Sequence, residues 1–140
     1  MGSAQKLQVV AGVLTRRGRW LLAQRPAWEA TPGLWEFPGG KVEAGETHTA
    51  ALARELHEEL GLAEVVVGAK LGSVAAQDIE VHFYAVTSDQ SPVLLEHTAL
   101  GWYRLSEALT LRLAPRDLTF IEAQLGPNFE PGKQAQSVTD

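Results

Sequence analysis

Three glutamates, Glu55, Glu58 and Glu59, stand at i, i+3 and i+4 in a stretch rich in Ala, Leu and Glu. At about 100° per residue, a helix gathers them within an arc of about 100°. Like charges so placed cost an isolated helix roughly 0.2–0.5 kcal/mol per pair. They also lie in the C-terminal half of the stretch, where the helix dipole disfavours anions. Such a face needs a counterion, yet residues 47–60 contain no lysine, and Arg54 offsets only part of the charge. Hard divalent cations take several oxygen ligands, which clustered carboxylates beside backbone carbonyls supply. A solvated acidic face is the competing account of these residues taken alone.

The residues in front of the helix bear on that choice. Gly39 and Gly40 let the backbone approach a ligand with no Cβ in the way, and Gly45-Glu46 adds a carboxylate before the helix starts. Read together, the chain runs Gly40, five residues, Glu46, seven residues, Arg54-Glu55-Leu56, one residue, Glu58-Glu59, one residue, Gly61-Leu62. This matches every specified position of the Nudix box, a loop–helix–loop signature that holds a divalent metal against a diphosphate. At about 7% usage for each strict position, such a match recurs by chance on the order of once in 10⁹ windows. On these residues the chain resembles the Nudix hydrolases. Within them it is most similar to the MutT-like nucleoside triphosphate pyrophosphohydrolases and the bacterial CTP pyrophosphohydrolases. The similarity extends over residues 7–125, through Leu22-Ala23-Gln24-Arg25-Pro26, residues 33–43, Glu96-His97 and Leu113-Ala114-Pro115 with Asp117.

The resemblance implies a fold, a reaction and a set of roles. The fold is mixed α+β, a Nudix α/β/α sandwich around a central mixed sheet. The reaction is attack of water on a nucleoside triphosphate, releasing the monophosphate and pyrophosphate. It implies that Glu55, Glu58 and Glu59 ligate Mg²⁺ or Mn²⁺, with the carbonyl of Gly39 as a further ligand. Arg54 is expected to orient a box glutamate, and Glu46 to play a structural part. The general base is Glu55 or Glu96, with Glu96 favoured because its loop precedes the last strand. Arg25 and Lys41 are the expected phosphate contacts beside Gly40, and Phe37 is expected to border the base. Asp117 departs from the pattern, since enzymes of this kind that read oxidised guanine carry asparagine there. An ionised aspartate only accepts hydrogen bonds, which suits an exocyclic amino group as on cytosine. A protonated one also donates, so oxidised guanine as in 8-oxo-dGTP remains in view. A non-catalytic Nudix-like module that binds a damaged base is the alternative from another class. A Nudix hydrolase of a different nucleoside diphosphate derivative is the alternative within the same chemistry.

Positioning these residues requires strands as well as the helix. Residues 8–15 form a nearly unbroken β-branched, apolar run, the mark of a strand buried on both faces. Residues 20–24 follow as a second strand, and Pro38-Gly39-Gly40 is expected to interrupt regular structure. The helix spans 47–60 and stops at Gly61. On its wheel Thr49, Ala53, Leu56 and Leu60 form the face expected to pack on the sheet. Strand material recurs at 65–67, 71–75, 79–87 and 98–105, and helices at 106–109 and 115–125. Trp20, Trp35 and Trp102 read as core, and Trp28, in a proline-flanked loop, as the tryptophan nearest a substrate. His48, His57, His82 and His97 have no metal-ligand spacing and read as surface or strand residues.

The 140 residues, 45% hydrophobic, make one domain over 1–125 with a polar, frayed tail over 126–140. Against 12 Lys and Arg stand 17 Asp and Glu, a net charge of -5 that argues against coating nucleic acid polymers. With no cysteine, disulfide scaffolds, zinc ribbons and thiol nucleophiles are excluded. No apolar run approaches the roughly 20 residues of a membrane span, and the N-terminus lacks a signal peptide's apolar core. A soluble, cytoplasmic enzyme acting on a small nucleotide is the expectation, as monomer or homodimer.

Overall fold

The computed structural model describes residues 6–125; the expected tail lies outside them. Strand β1 (Leu7–Arg16) runs through the middle of the sheet, as its uninterrupted apolar run requires. It pairs antiparallel with β2 (Arg19–Gln24) and parallel with the later strand β6 (Ile79–Thr87). β2 also pairs with β3 (Trp35–Glu36) and with β7 (Ala99–Tyr103), while β5 (Val66–Ala76) closes the far side against β6. The sheet is therefore mixed, with one parallel pairing at its centre.

Alternation along β1 divides the core in two. Val10 and Leu14 face the helix α1 (His48–Leu60), packing with Leu52, Leu56, Leu60 and Val86. Ala11 and Val13 face the other way, with Phe37, Phe83, Phe120 and Ile121, beneath α2 (Leu105–Ala108) and α3 (Pro115–Leu125). Helices thus cover both faces, which is the expected α/β/α sandwich. Trp20 and Trp35 pack against the second core and Trp102 against the first, as expected.

Three local expectations change. Gly39–Lys41 is a strand, β4, pairing antiparallel with β1 at Ala11, Val10 and Val9. A Cβ on Gly39 would fall 2.0 Å from the carbonyl oxygen of Val10, so the missing side chain permits the pairing instead of breaking it. The two strand fragments after α1 are one strand, β5, because register shifts near Lys70 absorb the irregularity between them. The buried face of α1 is Ala51, Leu52, Leu56, Glu59 and Leu60, while Thr49 is exposed in the first turn and Ala53 is half-buried. Leu52 and Glu59, seven residues apart, are only about 20° apart on the wheel, so the packing face takes a carboxylate with it.

Candidate active site

Both ends of α1 are built locally. Thr47 caps its N-terminus, its side chain accepting from the Ala50 N–H, and Gly61 closes its C-terminus at φ 68°, a left-handed conformation that favours glycine. The loop before it carries Glu46, whose carboxylate takes Arg54 in a two-pronged ion pair, at 2.7 Å from Nε and 3.0 Å from Nη2. Nη2 of Arg54 also donates to the Lys41 carbonyl at 3.0 Å, tying β4, the loop and α1 together. Its remaining nitrogen, Nη1, lies 3.0 Å from Glu55 and 3.3 Å from Glu58. Glu46 above all, with Glu55, makes Arg54 hold its proton more tightly, and Arg54 in turn pulls the Glu46 carboxyl down to about 2. One guanidinium thus orients three of the box glutamates.

Glu59 behaves differently because it is buried. Burial pushes its carboxyl up to about 9, and the charges of Glu55, Glu36 and Glu96 add to the effect. Glu55 is also raised, mainly by burial, although Arg54 opposes the shift. The Glu55 carboxylate lies against Gly40: a Cβ there would come within 2.3 Å of its carboxyl carbon. The diglycine thus serves two contacts, Gly39 against β1 and Gly40 against a box glutamate.

Among the described residues no three carboxylate or imidazole groups already surround one cation position. Oxygens of Glu55 and Glu58 are turned to Arg54. The donor set nonetheless fits a hard divalent cation: Oε1 of Glu59 is buried without a hydrogen-bond partner, beside two further carboxylates on the same helix face.

A second cluster lies on β3. Glu36 holds Arg25 at 2.9 Å through one oxygen and His97 at 3.1 Å through the other. Arg25 also donates to the Ala30 carbonyl. Next in sequence, the Phe37 N–H donates at 2.8 Å to Asp117, the first-turn acid of α3. Asp117 is buried, and burial pushes its carboxyl up to about 7; the Phe37 N–H opposes the rise and the charge of Glu36 adds to it. Phe37, expected to border the base, turns its ring into the core, edge-on to Trp20 and Phe120. What it offers Asp117 is its main chain.

The structure therefore brings Glu46, Arg54, Glu55, Glu58 and Glu59 together, with Glu96 near enough for its charge to bear on Glu59. Arg25 joins the neighbouring Glu36 cluster, whereas the Lys41 side chain is exposed and Trp28 stands 79% exposed. Glu36 was missed in sequence. The available signal was a carboxylate in an otherwise apolar stretch, Leu34-Trp35-Glu36-Phe37, beside the diglycine. Of the histidines, only His97 touches these clusters; His48 and His82 pair with Tyr84 and Gln8, and His57 is exposed on α1.

Residues 6–124 match the family model of the NUDIX domain. The chain is 44% identical over 122 residues to a CTP pyrophosphohydrolase of Escherichia coli (strain K12), covering 84% of this chain and 90% of that protein. It is 42% identical over 118 residues to a putative 8-oxo-dGTP diphosphatase 2 of Mycobacterium tuberculosis (strain ATCC 25618 / H37Rv), covering 81% of this chain and 84% of that one. The crystal structure of a MutT protein from Methanosarcina mazei Go1 superposes with a TM-score of 0.75 at 26% identity, over 88% of this chain and 95% of the other. On the match to the family model and the identity to these relatives, the chain belongs to the Nudix family and is a hydrolase of that family.

Proposed function

We propose that the protein hydrolyses nucleoside triphosphates to the monophosphate and pyrophosphate, with Mg²⁺ as the resident ion and Mn²⁺ able to replace it. The observation that carries this is the buried Glu59, whose unpartnered oxygen shares a helix face with Glu55 and Glu58. Those three carboxylates would hold the cation, with the Gly39 carbonyl as a further oxygen. When bound, the cation supplies charge neutralisation on the phosphate oxygens.

The rest is done by the chain's own groups. Arg54, fixed to Glu46, keeps Glu55 and Glu58 aimed at one region. Glu96 takes the proton from the attacking water, and Arg25 meets the phosphates from its place on Glu36. Asp117 reads the base. Poised near neutrality, it accepts from an amino group when ionised and donates to a keto oxygen when protonated. The substrates in view are CTP and dCTP on one side and 8-oxo-dGTP on the other; CTP and 8-oxo-dGTP are the nucleotides named for the relatives. The setting proposed is the free nucleotide pool of the cytoplasm; among the described residues no helix is long and apolar enough to cross a membrane.

Incubation with Mg²⁺ and a panel of canonical and oxidised NTPs and dNTPs tests this reading. Pyrophosphate and the monophosphate should appear from a cytidine nucleotide, from 8-oxo-dGTP or from both. Pyrophosphate from none of them would sink the proposal.

A further inference from the structure

Glu96 lies on the stretch joining β6 to β7, residues 88–98, which forms neither strand nor helix. Apolar packing does little to place it: Val93, Leu94 and Leu95 are 52%, 48% and 56% exposed. Polar contacts hold it instead. Arg16 donates to the carbonyls of Ser88 and Gln90 while lying 5.1 Å over the Trp102 ring. The Val93 N–H donates to the Leu60 carbonyl at 2.8 Å, and the Thr98 N–H to the Gln24 carbonyl at 3.0 Å. Between these last two ties stand Glu96 and His97.

The His97 side chain turns inward, only 5% exposed, and its Nε2 lies 3.1 Å from Glu36. Facing a carboxylate, that nitrogen carries the proton and donates. Glu36 is a firm anchor, since Arg25 holds its other oxygen at 2.9 Å and its strand leads directly into the diglycine. The Val93–Leu60 tie sets this loop against the C-terminal end of α1, the helix that carries Glu55, Glu58 and Glu59.

We propose that His97 is a positioning residue for hydrolysis, holding the Glu96 end of the β6–β7 loop to Glu36 so that Glu96 reaches the attacking water. This rests on the assignment of Glu96 as the base. An orienting partner of this kind changes rates by about 10–100-fold when removed. His97→Ala should therefore lower kcat by about that factor with the nucleotide KM nearly unchanged. His97→Gln retains a side-chain N–H and should recover most of the loss. If His97 acts through Glu96, the double variant His97→Ala/Glu96→Gln should be no slower than Glu96→Gln alone.

Wild-type kcat in His97→Ala would overturn the proposal, as would a double variant slower than Glu96→Gln by the full single-variant factor. If His97→Ala does not fold, His97→Leu, which keeps apolar bulk and lacks the donor, carries the same comparison. Glu96→Gln turning over at the wild-type rate would overturn the assignment of Glu96, and the proposal with it. A slow Glu96→Gln beside a fast His97→Ala would overturn only the role of His97.

Discussion

At the scale of single residues, the site contrasts carboxylates that hold their charge with carboxylates that resist it. Glu46 sits against Arg54 and ionises readily, whereas Glu59 and Asp117 are buried and retain protons toward neutral pH. For Asp117 this makes base preference a matter of protonation. Asp117→Asn, which donates and accepts at every pH, should shift preference toward 8-oxo-dGTP and flatten its pH dependence. An unchanged ratio of kcat/KM between CTP and 8-oxo-dGTP, across about pH 6 to 8, would remove Asp117 from specificity. Gly40 offers a steric counterpart. The Cβ of Gly40→Ala would stand 2.3 Å from the Glu55 carboxyl carbon, so that carboxylate must swing away. Turnover should fall by about 100-fold, the cost of a displacement of roughly 1 Å at a reacting centre, with a smaller change in melting temperature. Wild-type turnover would show that the Glu55 position is not critical.

At the scale of elements, α1 and its loop act as a unit because Arg54 joins β4, Glu46 and the helix. Arg54→Lys keeps the charge and loses the planar fork, so Glu46 is no longer gripped at both oxygens. That variant should lose activity by about 10-fold or more while remaining folded; full activity would mean that charge alone orients the box. Thr47, read as helical, is the N-cap. Helix, its stop at Gly61 and the central strand were legible in sequence, because the glycine, the carboxylate spacing and the β-branched run of β1 are local signals. The β4 strand was not. Its formation depends on how closely Gly39 approaches Val10, a contact between residues far apart in the chain. The burial of Glu59 was hidden for a related reason: the spacing to Glu55 and Glu58 placed it among the acids, and packing against the sheet placed it beside Leu52. Of the site, the spacing of the box residues was legible, and the Glu36 junction with Arg25 and His97 was not, since it forms only when β2, β3 and the β6–β7 loop meet.

At the scale of the whole molecule, the net charge of -5 is unevenly spent: buried carboxylates at the site keep protons that the unfolded chain would release. Both shifts are upward, so the folded state binds more protons than the unfolded one between 4.5 and about 9 for Glu59, and between 3.8 and about 7 for Asp117. The stability they contribute is fully present below those lower values and is lost as pH rises through the upper ones. Without divalent metal, the melting temperature should therefore fall from about pH 6 to 9, and the rise on adding Mg²⁺ should be larger at the upper end, where Glu59 is ionised. A melting temperature independent of pH, with a constant Mg²⁺ effect, would contradict the burial of these acids as functional charge. The central claim is that the acidic face of α1 holds the working cation, and Glu58 tests it most directly. Its side chain is 51% exposed and its ion-pair partner is Arg54, so Glu58→Gln leaves the fold intact. Pyrophosphate release under saturating Mg²⁺ should fall by orders of magnitude in that variant at an unchanged melting temperature; turnover near the wild-type rate would mean the face is solvated decoration.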